Sequence, residues 1–517
     1  MGGSGVNALL PGMPHAMMPR GFSLFTFTPQ RCVPAMSSET SYDPYAMPDD
    51  AIQAAPVSLW SALKQIGPGI ILAGSIVGSG ELIATTSLGA DWGFTFLWLI
   101  LASCVIKVFV QVELGRYALS SGRPTLGFMN ELPGPRLWVH WTVWWWFFML
   151  LATVVQLGAM VGGVGQALNM AFPSVSPALV QWIGPQTGLG TWLAAHPENP
   201  WGILTAFAAV ALLLSGGYQM LERFTTVLVA GVTAVTTLCV LLLPASGHPI
   251  PLDQVAEGLK GHVPEDPKAL AAAFAAFGIT GVGAAELFSY PYWCLEKGYA
   301  RAVGRNSPDD SWVARAKGWM RVMQLDAWAS MIVFTLATVS FYFLGATVLH
   351  PDPSLRPQGP KVIEVLSQMY EPAFGSWTKL VFLVGAWAVL FKTLYIASAG
   401  HARLTADFFS LSGFLTYPSA HYRARIIRGL CVFYPLLALT FYLLLGDAKA
   451  MVNFGGFVQG ITLPVISGAA LYLRYFKTDP RIRPVWWWDV LLWVAVISLT
   501  VLAGWAAFDY ARKLAMR

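Results

Sequence analysis

Val77-Gly78-Ser79-Gly80-Glu81-Leu82-Ile83 and Val282-Gly283-Ala284-Ala285-Glu286-Leu287-Phe288 are the stretches whose reading decides the fold. Each sets small, helix-weakening residues beside a lone carboxylate in the middle of a long apolar segment. At bilayer depth a carboxylate costs about 2.5 kcal/mol or more, so it persists where it faces protein, an ion or water. Two such interruptions at matching places in two halves of a chain point to the substrate site of a secondary transporter.

The rest of the sequence fits a membrane setting. Of 517 residues, 56% are hydrophobic and 11% charged, and the mean hydropathy is +0.56. Soluble proteins carry about 25% charged residues. The net charge of +5 does not indicate nucleic acid, because no basic stripe with interleaved aromatics lies outside the apolar segments. Cys32, Cys104, Cys239, Cys294 and Cys431 form no CxxC pair, which gives neither a disulfide framework nor a zinc site. No cofactor is implied.

A span needs about 20 mostly apolar residues. Eleven segments qualify: 67–89, 94–118, 138–168, 200–217, 224–245, 269–292, 326–349, 376–408, 427–446, 450–474 and 486–508. Three regions result. Residues 1–56 read as a disordered cytoplasmic tail, 57–475 as a ten-span transport core, and 476–517 as an eleventh span with a short tail. Trp144-Trp145-Trp146 and Trp486-Trp487-Trp488 read as interfacial belts; for the first, plain lipid-facing filler is an equal alternative.

Charge gives the orientation. With the N-terminus inside, the inner connections and adjoining helix ends hold Arg116, Arg123, Arg136, Arg223, Lys297, Arg301, Arg305, Arg315, Lys317, Arg321, Arg403, Arg423, Arg425, Arg428, Arg474, Lys477, Arg481 and Arg483. The outer connections hold only Lys260, Lys268, Arg356, Lys361, Lys379 and Lys449. The positive-inside rule predicts a cell-membrane protein with a cytoplasmic N-terminus and an outward C-terminus. Five spans per half is an odd number, so the halves enter the bilayer with opposite polarity. Spans 1–5 and 6–10 are then an inverted repeat, with spans 1 and 6 broken and span 11 appended.

Glycines at mid-depth let the backbone unwind, each costing about 1 kcal/mol relative to Ala. Unwound backbone in a membrane must be buried in protein or line a cavity. The predicted substrate site is therefore Gly78, Ser79, Gly80 and Glu81 with Gly283, Ala284, Ala285 and Glu286. Glu81 and Glu286 are the candidate metal ligands. Carbonyls, carboxylates and the Ser79 hydroxyl suit a hard cation such as Mg²⁺ or Mn²⁺. The alternative is that the glycines serve close packing and the acids meet backbone donors. Lys107 and Lys392, near the middles of spans 2 and 8, are natural partners for the two glutamates because buried charges pair. Lys107, Lys392 and Tyr395 are the candidate coupling or charge-balancing residues. Gln111, Glu113, Gln156, His401, Asp407, Asn453 and Gln459 read first as inter-helix hydrogen bonders.

Several motifs resemble the Nramp family of divalent-metal transporters. They are Ile66-Gly67-Pro68-Gly69, Gly89-Ala90-Asp91-Trp92-Gly93-Phe94-Thr95-Phe96-Leu97-Trp98, Leu114-Gly115-Arg116-Tyr117, Ser121-Gly122-Arg123-Pro124-Thr125-Leu126, Asp326 opening span 7, and Gln459 with Leu463-Pro464. The resemblance implies an all-α, LeuT-like fold and proton-linked uptake of a divalent metal. The family's span 1 reads Asp-Pro-Gly-Asn where this chain has Gly78-Ser79-Gly80-Glu81. Its span 6 reads Met-Pro-His near Ala284-Ala285-Glu286. The family's aspartate and thioether are thus absent, and the loss of the soft ligand shifts preference toward harder ions. The reading is a secondary transporter of a divalent cation working by alternating access, with the cation and the lipid bilayer as partners and a monomer plausible. A non-metal solute or anion on the same fold is the alternative. A membrane-embedded enzyme is remote, since neither a His-Glu-x-x-His nor a Gly-x-Ser-x-Gly pattern occurs.

Overall fold

The computed structural model describes residues 44–215, 218–375 and 377–515. The expected tail therefore lies largely outside the described residues. Its last part, 44–56, is packed against the helices. The Tyr45 hydroxyl donates to Asp407 (2.7 Å) and the Gln53 amide to the Ala302 carbonyl (3.0 Å). Trp319 Nε1 donates to the Gln53 carbonyl (3.0 Å).

The fold is all-helical apart from a two-residue antiparallel pair, Arg136–Leu137 with Val139–His140. Nine helices among the described residues are long and apolar enough to cross a bilayer unaided. The two further predicted spans fail that test for physical reasons. Span 1 is divided into short pieces, Pro68–Ile76, Gly80–Thr85 and Thr86–Trp92. Span 4, Asn199–Ser215, has 17 residues and follows the helix Gly188–Ala195 at a bend of 89°. The others are span 2 (Leu97–Ser121), span 3 (Trp141–Ala171), span 5 (Tyr218–Leu242), span 8 (Thr378–Leu411), span 9 (Ala420–Leu445), span 10 (Ala448–Tyr472) and span 11 (Trp486–Ala515). Span 6 is split into Pro267–Ile279 and Ala284–Lys297.

Two expectations need correction. Span 7 is the helix Asp310–Leu344, so Asp326 does not open it but sits buried in its middle. Arg315, Lys317 and Arg321 lower the hydropathy of the first turns, but the helix does not end where its apolar stretch does. The tryptophan clusters are also not uniform belts. Trp486 and Trp487 are exposed, while Trp488 is buried against Phe109 (ring centroids 5.0 Å) and Trp146 is buried next to Phe408. Spans 1, 3, 6, 8 and 10 meet at the centre. Span 11 packs on spans 2 and 10 and turns an apolar face outward.

Candidate functional site

The break in span 1 comes where the first half-helix runs into Val77 and Gly78. Val77 takes ψ 81°, outside helical geometry. The chain then re-enters a wide turn over Gly80–Thr85. The carbonyls this loosens are not left bare: the Thr85 hydroxyl donates to Gly80 O (3.0 Å) and the Thr86 hydroxyl to Glu81 O (3.1 Å). Glu81 is fully buried. Its carboxylate accepts from the Gly78 amide, from the Gly281 amide of the span 6 break and from the Thr338 hydroxyl of span 7, each at 3.3 Å. An acid of one half thus fastens the unwound backbone of the other.

In span 6 the first half-helix stops at Ile279 and the second starts at Ala284. Gly281 has φ +66°, a region a side chain makes costly. The carbonyls freed at the end of the first half-helix accept from span 2. The Lys107 ammonium donates to Phe277 O and to Thr280 O (2.9 Å to Thr280), and the Ser103 hydroxyl reaches the same two carbonyls at 3.2 and 3.0 Å. A cation there also offsets the partial negative charge of a helix C-terminus. The Thr85 and Thr280 hydroxyls meet at 3.0 Å and join the two breaks.

The corresponding half-helix of span 1 is held in a similar way. Asp326 of span 7 accepts from the Gly67 amide (3.0 Å) and the Gly69 amide at its N-terminus. Lys392 of span 8 lies against its last turn, where a Cβ on Gly74 would come within 2.3 Å of Nζ. For Lys107 the predicted pairing with a glutamate is not a direct contact. Lys107 makes no ion pair among the described residues; its ammonium is occupied by carbonyls. Carbonyls at a helix end serve a buried ammonium without needing a second buried charge, which would add its own desolvation cost.

Between the breaks lies a cavity of about 40 Å³. Ser79, Gly80, Ala285 and Glu286 of the predicted site line it, with Gln156, Ser289, Trp293, Thr393, His401 and Gln459. Glu286 is partly exposed to it. Gly78, Glu81, Gly283, Ala284, Lys107, Lys392 and Tyr395 do not line it. The expectation that both glutamates face one pocket therefore differs from the geometry: Glu286 does, and Glu81 turns to backbone donors. Tyr395 is buried within span 8.

A chain of amides spans the cavity wall. The Ala285 amide donates to Gln459 Oε1 (3.0 Å), Gln459 Nε2 to Gln156 Oε1 (2.9 Å), and Gln156 Nε2 to the Ser79 hydroxyl (3.1 Å). Spans 6, 10, 3 and 1 are linked in that order. Sequence reasoning had Gln156 and Gln459 as hydrogen bonders and could not place them at the site. Ser103, Thr85, Thr280 and Thr338 were missed. Thr85 and Thr280 belong to the broken spans themselves and Ser103 and Thr338 reach them from spans 2 and 7, pairings that only the packing reveals. No group of three or more His, Cys, Asp or Glu among the described residues could hold a metal; of those residue types, Glu286 and His401 line the cavity, beside amide, hydroxyl and carbonyl oxygens.

Residues 69–509 match the family model described as natural resistance-associated macrophage protein-like. An uncharacterized protein of Pasteurella multocida is 22% identical over 494 residues, covering 92% of this chain and 99% of that protein. The divalent metal cation transporter MntH of Caldanaerobacter subterraneus is 29% identical over 144 residues, 28% of this chain and 32% of its own length. A crystal structure of the Eremococcus coleocola manganese transporter, in complex with an aromatic bis-isothiourea substituted compound, shares the fold. It aligns with a TM-score of 0.61 at 16% identity and covers 87% of this chain and 88% of that one.

Proposed function

The chain belongs to the Nramp family, a family of multi-pass membrane transporters and not of enzymes, and on that premise we propose that it moves a divalent metal cation across the membrane. The observation that carries the reading is Glu286, a single carboxylate at the start of a half-helix, facing a cavity also lined by the Gln459 and Gln156 amides, the Ser75, Ser79, Thr153, Ser289 and Thr393 hydroxyls, and the Trp293 and His401 rings. Oxygen donors around one carboxylate suit a hard dication, Mg²⁺ or Mn²⁺. Size argues the same way. About 40 Å³ holds an ion and a water or two, since a water needs about 10–15 Å³ on this measure. Organic ligands occupy sites of about 300–1,000 Å³.

Alternating access draws support from the two ion pairs that bridge opposite ends of the moving helices. Arg403 of span 8 pairs with Glu296 of span 6 (2.5 Å), and its guanidinium lies 5.3 Å from the Trp293 ring. At the other end Lys449 of span 10 pairs with Asp91 of span 1 (2.7 Å). Opening either mouth would break one pair. A cytoplasmic N-terminus follows from the lysine and arginine bias, and the cavity extends toward that face along Ser289, Trp293 and His401.

The test is uptake of Mn²⁺ and Mg²⁺ into proteoliposomes of the purified protein. Saturable uptake by the wild type is expected. No uptake of any divalent cation, together with thermal stabilisation by an organic solute, would overturn the reading in favour of a non-metal cargo.

A further inference from the structure

One imidazole stands in the wall of the central cavity, and no role described so far uses it. His401 of span 8 lines the same cavity as Glu286. It is 5% exposed, and its Nδ1 is buried with no hydrogen-bond partner. The ring packs edge-on against Tyr434 (centroids 5.8 Å, interplanar angle 61°). The Tyr434 hydroxyl is paired with Thr405 at 2.5 Å. A buried polar atom without a partner costs about 1–3 kcal/mol, and each such case asks for an explanation.

The position of the ring points to a use for it. Ser289 follows Glu286 by one helical turn. The backbone of span 8 at Gly400 meets span 6 there, with the Ser289 hydroxyl 3.6 Å from where a Gly400 Cβ would stand. His401 thus stands beyond Glu286 along the cavity, toward the mouth that Glu296 and Arg403 close. We infer that His401 is a further ligand for the transported cation on its way between Glu286 and that mouth, and that its imidazole selects Mn²⁺ and similar transition metals over Mg²⁺. The inference rests on the divalent-cation reading of this site and adds a selectivity to it. An imidazole nitrogen suits first-row transition metals, whereas Mg²⁺ keeps oxygen ligands and its waters. Nδ1 is enclosed and without a partner, so the ring nitrogen that would present its lone pair to the cavity is Nε2.

The experiment uses the full chain, purified and loaded with Mn²⁺. Electron spin-echo measurements on the bound Mn²⁺ should show modulation from an imidazole ¹⁴N, and His401→Gln should remove it. In proteoliposomes His401→Gln should lower Mn²⁺ uptake more steeply than Mg²⁺ uptake. The Mn²⁺-to-Mg²⁺ ratio should fall by about tenfold or more, the low end of what losing even an outer partner costs a metal site. Bound Mn²⁺ without nitrogen modulation in the wild type overturns the inference and leaves cation transport standing, and so does an unchanged ratio in the folded variant. A wild type that binds no divalent cation removes both.

Discussion

The break in span 1 and the break in span 6 carry nearly the same phrase and end in the same acid, yet the two acids do different work. Glu81 is fully enclosed and collects three donors, one of them from the opposite break. Glu286 opens its half-helix and looks into the cavity. The halves repeat in fold, and the site is made where they stop repeating. One acid is a fastening between two stretches of unwound backbone. The other faces the cavity.

The sharpest way to break this comparison is to neutralise the acids one at a time. Glu286→Gln should reduce divalent-cation uptake by about 100-fold or more, in line with the 2–5 kcal/mol lost when one side of a buried charge interaction is truncated. Its thermal unfolding should change little, because its carboxylate is held by backbone of its own turn, at Gly283 and Glu286. The comparison fails if folded Glu286→Gln transports at the wild-type rate.

Glu81→Gln should show the reverse pattern. An amide nitrogen would replace one carboxylate oxygen and face a donor, the Gly78 amide or the Gly281 amide and Thr338 hydroxyl. A buried donor left unsatisfied costs about 1–3 kcal/mol. Thermal unfolding in detergent should therefore fall, while uptake per folded molecule stays measurable. Abolished uptake with unchanged unfolding temperature would assign Glu81 to the ion and Glu286 to the scaffold.

A smaller effect separates the breaks by backbone geometry. Gly281 has φ +66°, and an alanine there costs about 1–2 kcal/mol; its Cβ would also stand 3.1 Å from the Cys104 Cα. No residue in the span 1 break has a positive φ. Gly281→Ala should thus lower the unfolding temperature, and an unchanged value would show that the span 6 break tolerates other backbone conformations.

How much of this was legible beforehand follows from the physics of each signal. Nine of the predicted spans were readable because hydropathy acts along the chain and needs no partner. The breaks were readable because glycine weakens a helix wherever it stands. The ends of span 7 were not, since helix and apolar stretch are separate properties and the charged turns before Asp326 remain helical. Within the site, the residue types were legible and their directions were not. Nothing in the neighbours of Glu81 and Glu286 says that one turns to backbone and the other to a cavity; the Gly281 amide and Thr338 that hold Glu81 lie 200 and 257 residues away. For Lys107, a direct ion pair with a glutamate is not the contact made, for a related reason. Charge alone suggests acids, but the breaks also create carbonyl acceptors, and those are what Lys107 meets.

The carbonyls at the end of the first half-helix of span 6 allow the finest test of that point. Lys107 and Ser103 both donate to Phe277 O and Thr280 O, so each can cover for the other. Ser103→Ala should cost about 0.5–1.5 kcal/mol or less, the net worth of an ordinary hydrogen bond. The same change on a Lys107→Met background should cost more, because the carbonyls then have no donor left and lie where water does not reach. A double-mutant cycle on thermal or denaturant unfolding reads the difference directly, with coupling of about 0.5–3 kcal/mol for residues sharing partners. Additive losses would mean the carbonyls find other donors when both side chains are gone. The lysine would then be held in place by its cation–π contact with Phe277, at 4.7 Å, rather than by the helix end it caps.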